Sequence, residues 1–243
     1  MTHSTYVRYE TLRTFRNWKF LVFSLAFPLI LFFVIASPRR HSDLGGVPVP
    51  VYFMTGMAAW GTMIAVVAGG ARIAAERSVG WTRQMRITPL PTRTYFGAKI
   101  LSSYLMALVS IAVLYLAGTA LGVRLAAHVW LTMTGLLLVA LVPFVVLGIL
   151  LGHVLRIDGM GPAMGGITSL FALLGGAWGP LASAGVLHKI VEWIPSYWLV
   201  QAGATALGGG GWPPARAWIV IAAWTAGLAV IAIRVYQRDT ARS

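Results

Sequence analysis

Uncharged apolar stretches about as long as a bilayer is thick recur along this chain, and no other feature limits its fold so strongly. Phe20–Ser37 is the first. Val51–Ala71, the interval between Lys99 and Arg124, Val129–Gly152, Met160–Trp178 and Ala217–Ile233 follow. None of these six contains Asp, Glu, Lys or Arg in its interior. A helix of about 20 apolar residues crosses the hydrocarbon core with every backbone polar group bonded internally. Only 10% of the residues are charged, against about 25% in a soluble domain. The expected fold is therefore an all-α integral membrane protein of six transmembrane helices, a single domain over residues 1–243.

The basic residues give the orientation. Fourteen of the nineteen Lys and Arg fall in the N-terminal segment 1–19, the segment 72–99, the short link with His153, Arg156 and Asp158, and the tail. The other five, Arg39, Arg40, Arg124, Lys189 and Arg216, fall on the alternate segments. Short loops rich in Lys and Arg stay inside, so both termini are expected in the cytoplasm, with the chain multi-pass in a bacterial plasma membrane. The net charge of +13 is spread over these segments rather than gathered in one patch, which excludes nucleic acid as a partner. Phe20–Ser37 exceeds the 7–15 apolar residues of a signal peptide and reads as a retained helix, with Pro28 as a kink.

Catalytic chemistry is missing. The chain has no cysteine, hence no thiolate metal site. His3, His41, His128, His153 and His188 are scattered without ligand spacing and read as interfacial or loop residues. No GxxxxGK[ST] phosphate loop, HExxH or GxSxG occurs. Spans without ionisable residues argue against a proton- or sodium-coupled carrier, and no internal repeat points to one. The pairs Gly118/Gly122, Gly148/Gly152, Gly161/Gly165 and Gly175/Gly179 allow close helix approach.

The segment Arg72–Lys99 is the long polar interruption in the first half. It carries Arg72, Arg77, Arg83, Arg86, Arg93 and Lys99 against one acid, Glu76. Ala75–Ile87 reads as a short helix, stopped by Pro89 and Pro91. Glu76 falls in its first turn, and Arg83 and Arg86 near its end, as the helix dipole favours. Ser78, Trp81 and Met85 form one stripe. Gly80 beside it is a weak point unless something packs closely there. Charge alone leaves two readings, a docking surface or a solvated loop on anionic headgroups.

The run Glu76-Arg77-Ser78-Val79-Gly80-Trp81-Thr82-Arg83-Gln84-Met85-Arg86-Ile87-Thr88-Pro89 resembles the cytoplasmic loop of type-2 ATP-binding-cassette (ABC) permeases, drug- and antibiotic-exporting members above all. In them E-R-x-x-G-x-x-x-Q-hydrophobic ends in Thr-Pro. The resemblance implies a coupling helix seated in a groove of a separate ATPase. Glu76, Arg77, Gly80, Trp81, Arg83, Gln84, Met85, Arg86, Thr88 and Pro89 would form it. Trp81 and Met85 would be apolar anchors, Arg77, Arg83 and Arg86 a polar rim, and Glu76 would orient the helix through a local ion pair. Ser78 and Arg83 stand where many members carry acids, so charge pairing with the ATPase differs here.

Two other regions share the resemblance. Residues 1–19 mix Arg8, Arg13, Arg16 and Lys19 with Tyr6, Tyr9, Phe15 and Trp18. Their faces do not separate cleanly, yet they suit an interfacial segment and are similar to the family's N-terminal connecting helix. Residues 179–216 are long for a loop and too apolar to be solvated. Leu187–Ala206 has the length of a seventh span, but His188, Lys189, Glu192 and Pro195 oppose a crossing. External re-entrant or interfacial helices are expected, with Trp193, Tyr197 and Trp198 at the headgroups. The Ile194-Pro195-Ser196-Tyr197-Trp198 run resembles the family's external helices before the last span.

The resemblance implies a permease subunit of an ATP-driven exporter, with no cofactor on this chain and ATP and Mg on the partner. Two ATPase copies and a second permease, as homodimer or heterodimer, would complete it. Hydrophobic or amphipathic, drug-like cargo is the first expectation. Export of lipid-linked polysaccharide or lipid is the alternative within the class, and a motor-independent carrier or scaffold the alternative outside it.

Overall fold

The computed structural model describes residues 3–16, 18–81, 84, 91–180, 185–208 and 213–241. Among the described residues the secondary structure is helical apart from one small hairpin. Helix α1 (His3–Arg16) is followed by α2 (Trp18–Ala36), which continues through Pro28. Strands β1 (Asp43–Leu44) and β2 (Val47–Pro48) pair antiparallel, Asp43 with Pro48 and Leu44 with Val47. Gly45 and Gly46 join them at φ 59° and 82°, the double left-handed turn that only glycine enters without cost.

Helix α3 (Val49–Ser78) is the axis of the molecule. It packs against α2, α4 (Thr92–Ala120), α6 (Val142–Val154) and α7 (Ile157–Gly175), and nearly all of it is buried. Lipid tails are as apolar as leucine, so close packing rather than apolar burial must hold such helices together. Ala58, Ala59, Gly61, Ala65, Ala68, Gly69 and Gly70 give α3 a surface that neighbours can approach. At the α3–α6 contact, a Cβ on Gly148 would lie 2.9 Å from the Val67 Cα, and one on Gly152 would lie 2.5 Å from the Gly70 carbonyl oxygen. Of the four small-residue pairs, Gly148/Gly152 makes the tight helix seam. Gly161 and Gly165 have open space around them.

Helix α5 (Ala127–Ala140) and α6 form one apolar stretch, interrupted at Leu141 just before Pro143. Three helices of six residues follow α7: α8 (Val186–Val191), α9 (Pro195–Val200) and α10 (Ala202–Leu207). No single helix runs through Leu187–Ala206, because the chain turns at Glu192–Ile194 and again at Gln201. Helix α11 (Ala215–Ala241) closes the fold against α6. Among the described residues five stretches are long and apolar enough to cross a membrane: α3, α4, α5 with α6, α7, and Ala215–Gln237 of α11. The apolar part of α2 described in full is shorter, Ser24–Ala36.

Two sequence expectations are corrected. The polar segment 72–99 is much shorter as a loop, because α3 runs on to Ser78 and α4 begins at Thr92. Residues 75–78 thus end a long helix rather than start a short one. His153 is not in a loop; it is buried near the end of α6, with its ring 6.0 Å from Phe96 and 5.5 Å from Tyr236.

Candidate functional site

The end of the molecule that bears the basic 72–99 segment holds a buried ion cluster. Glu10 of α1, Glu76 of α3 and Lys99 of α4 are each at most 3% exposed. The Lys99 ammonium donates to Glu10 Oε1 at 2.6 Å and to Glu76 Oε1 at 2.5 Å. Arg13 donates to the same Glu76 oxygen at 3.0 Å, and the Tyr95 hydroxyl donates to Glu76 Oε2 at 2.7 Å. Arg72 Nε lies 3.9 Å from Glu10, while its Nη2 donates to the Ser102 and Ser103 hydroxyls at 3.3 and 3.2 Å. Buried charges persist only when paired and hydrogen-bonded. Here both carboxylates are paired, each on the shared ammonium.

Local structure explains how the groups meet. Tyr6, Glu10 and Thr14, spaced four apart, lie on the buried face of α1, and Tyr9 and Leu12 face outward. The helix is thus oriented by a polar stripe, which is why its apolar pattern does not resolve into a face. Tyr6 packs with Tyr95 and Ala98 of α4. Burial, and next the Glu10 carboxylate, hold the Tyr6 phenol well above its ordinary range, so it stays protonated. Lys99 also lies 5.4 Å from the centre of the Tyr95 ring.

The loop between α3 and α4 starts from this cluster. Val79 ends α3, and Gly80 turns the chain at φ 71°. No described residue lies within 4 Å of a Cβ built there, and the positive φ is what calls for glycine. The turn breaks the Ser78–Trp81 stripe expected of one continuous helix. Beyond it Gln84 N–H donates to the Gly80 carbonyl at 3.3 Å, one helical turn. Val79 and Trp81 are 75% and 40% exposed, and Gln84 is exposed too. Glu76 pairs with residues distant in sequence, Arg13, Tyr95 and Lys99, where a local ion pair was expected. Arg77 donates to the Gly152 carbonyl at 3.1 Å and ties α3 to the end of α6. Arg83, Met85, Arg86, Thr88 and Pro89 lie outside the described residues.

At the opposite end, Pro195 is buried in the first turn of α9, and Ile194 in extended conformation precedes it. Trp198 Nε1 donates to the Glu192 carbonyl at 2.8 Å. Trp224 Nε1 of α11 donates to the Trp193 carbonyl at 2.9 Å, so two indoles pin the 192–194 turn. Trp193 itself is 57% exposed with Arg216 over its ring, and Tyr197 stacks edge-on with Trp198 and His188. Glu192 pairs with Arg216 and with His188.

The sequence singles out Glu76 but not its partners Arg13, Tyr95 and Lys99, nor Glu10 and Arg72 beside them. One signal was present. The chain holds six acids against nineteen bases, so a lone acid in each of two basic segments marks a pairing site.

Comparison with known proteins agrees with this architecture. Residues 47–234 match the family described as ABC-2 family transporter protein. The chain is 27% identical over 219 residues to a Bacillus subtilis (strain 168) protein described as "Putative transport permease YvfS", covering 88% of this chain and 89% of that one. With a matched region that takes in everything from β2 to α11, the chain belongs to the ABC-2 family of transporter proteins, as the membrane permease component of a transporter.

Proposed function

We propose that this chain is the permease of an ATP-driven exporter and receives its power stroke through the loop between α3 and α4. A separate ABC ATPase, two copies of it, supplies ATP and Mg, and a second permease chain completes the pathway. The observation that carries this reading is the Lys99 bridge between Glu10 and Glu76. It joins the helices on both sides of the loop to α1. A push on the exposed Val79–Trp81 tip therefore moves α1, α3 and α4 as one lever, and α3 contacts most of the remaining bundle. Rigid elements moving about packed interfaces are how such closures are transmitted.

In this reading α2 is a sixth span, both termini lie in the cytoplasm of a bacterial plasma membrane, and α8–α10 form an external re-entrant region. Trp81 is the apolar anchor on the ATPase, joined by Met85, with Arg77, Gln84 and the other loop arginines around it. The cargo is hydrophobic or amphipathic, drug- or antibiotic-like, since the spans between the basic segments are lined by apolar and small side chains.

The test is co-purification of the tagged permease with candidate ATPase subunits in detergent, comparing wild type with Trp81→Ala. Truncating an interface tryptophan typically costs about 2 kcal/mol or more, so the variant should insert normally and lose its ATPase. A Trp81→Ala protein that keeps a full complex and full transport refutes the docking role.

A further inference from the structure

A cavity of about 850 Å³ opens beside the ion cluster, between α1 and α3. Its size falls within the usual range of ligand pockets. Arg13 and Arg16 line it from α1, one turn apart, and Arg72 from α3. Among the described residues no carboxylate lines it. The opposite wall is Ala68, Ala71 and Ala75, three small residues in a row along α3, and Tyr9, Leu12 and Thr14 line the rest.

The charges do not balance. In the cluster Arg13, Arg72 and Lys99 face only Glu10 and Glu76. Arg16 is exposed and has no ion pair among the described residues. The site therefore holds two cations more than its acids can neutralise. Arg13 spends Nη1 on Glu76 and is half exposed, so its remaining donors are free to face the cavity. Guanidinium groups present forked donors that match a phosphate. Basic pockets between membrane helices on the cytoplasmic side suit anionic lipid headgroups.

We propose that this cavity binds the phosphate-bearing headgroup of an anionic amphiphile, whose acyl chain lies along the alanine wall of α3. Arg13 and Arg16 hold the phosphate. Arg72, fixed by Ser102 and Ser103, sets the positive floor. The alanines, lacking side-chain bulk, leave the path from the headgroup toward the bilayer interior open. In the orientation proposed above the ligand comes from the cytoplasmic leaflet, as a resident phospholipid or as cargo on its way out.

The experiment is native mass spectrometry of the full-length permease without ATPase, so that failure of the ATPase reading leaves it intact. Phosphatidylglycerol and phosphatidylcholine of the same chain length are titrated against wild type, Arg16→Gln, Arg13→Gln and, as control, Arg234→Gln on α11. Wild type should prefer phosphatidylglycerol severalfold, and each cavity arginine removed should weaken that binding about fivefold. The control should not change. Arg16 is exposed and unpaired, so its variant stays informative even if Arg13→Gln fails to fold. Equal binding of the two lipids, or equal loss in the control, overturns the proposal. So does glycerol phosphate binding as tightly as the lipid, since no acyl chain would then be held. With ATPase and ATP added, an adduct that survives turnover identifies a resident lipid, and one depleted by turnover identifies cargo. Both uphold the headgroup chemistry.

Discussion

Lys99 Nζ lies 2.5 Å from Glu76 Oε1, although 23 residues and the whole α3–α4 loop separate them in the chain. The same ammonium reaches Glu10, 89 residues away, at 2.6 Å. One cation therefore closes the loop at its base and clamps α1 across it.

Removing that cation takes the nearest partner from both buried carboxylates and, among the described residues, leaves Glu10 only Arg72, at 3.9 Å. Lys99→Met should destabilise the protein by about 3–5 kcal/mol, read as a lowered thermal unfolding midpoint in detergent. Adding Glu76→Gln to Lys99→Met should recover part of the loss, because the carboxylate that remains, Glu10, keeps Arg72 beside it and Arg13 is half exposed. A single mutant as stable as wild type would show that the cluster is solvated.

The glycines of the α3–α6 seam and those of α7 should part company. Gly152→Ala places a methyl against the Gly70 backbone and should cost about 1–3 kcal/mol as overpacking. Gly161→Ala and Gly165→Ala meet open space and should be neutral, or stabilising by up to about 1 kcal/mol through helix propensity. Unfolding midpoints of the three variants decide it. A marked loss at Gly161 or Gly165 would indicate that another chain packs there.

Gly80 should tolerate asparagine better than alanine or valine. Its φ of 71° costs an L-residue about 1–2 kcal/mol, and asparagine enters that region more readily than most residues. The unfolding midpoint of Gly80→Val should fall by no more than that strain, about 1–2 kcal/mol, because the turn is exposed. ATPase association should fall, since the substitution re-aims Trp81.

The Glu192–Arg216 pair is expected to matter little. Arg216 is half exposed, and such pairs contribute about 0–1 kcal/mol. Arg216→Ala should leave the unfolding midpoint almost unchanged, whereas Trp224→Phe, which removes the donor to the Trp193 carbonyl, should lower it. The reverse order of effects would place the weight of this corner on the ion pair.

How much of this was readable from the residues alone varies with the range of the interaction. The apolar runs located α3, α4, α7 and α11, because a helix satisfies its backbone within itself and needs only length and hydropathy. Pro195, the charges of 188–192 and the long apolar stretch around them showed that 187–206 would not be a plain crossing, and three short helices stand there. The helix ends were misjudged at Ser78 and Thr92, where polarity was read as a loop. Polar residues continue a helix when other helices supply their partners, as α1 does for Glu76 and Lys99, and hydropathy carries no information about such partners. His153 was misplaced for the same reason.

Membrane class, the order of the helices and the family pattern at Glu76–Pro89 thus rest on local properties: side-chain polarity, span length and the spacing of Gly and Pro. The clamp of Glu10, Glu76 and Lys99, the Gly148/Gly152 seam and the arginine cavity were decided only when α1, α3, α4 and α6 came together. A charge in a sequence is either solvated or buried according to which helices surround it, and a glycine is either a seam or a bare surface according to what it faces. Both depend on distances between residues far apart in the chain, which tertiary packing alone sets.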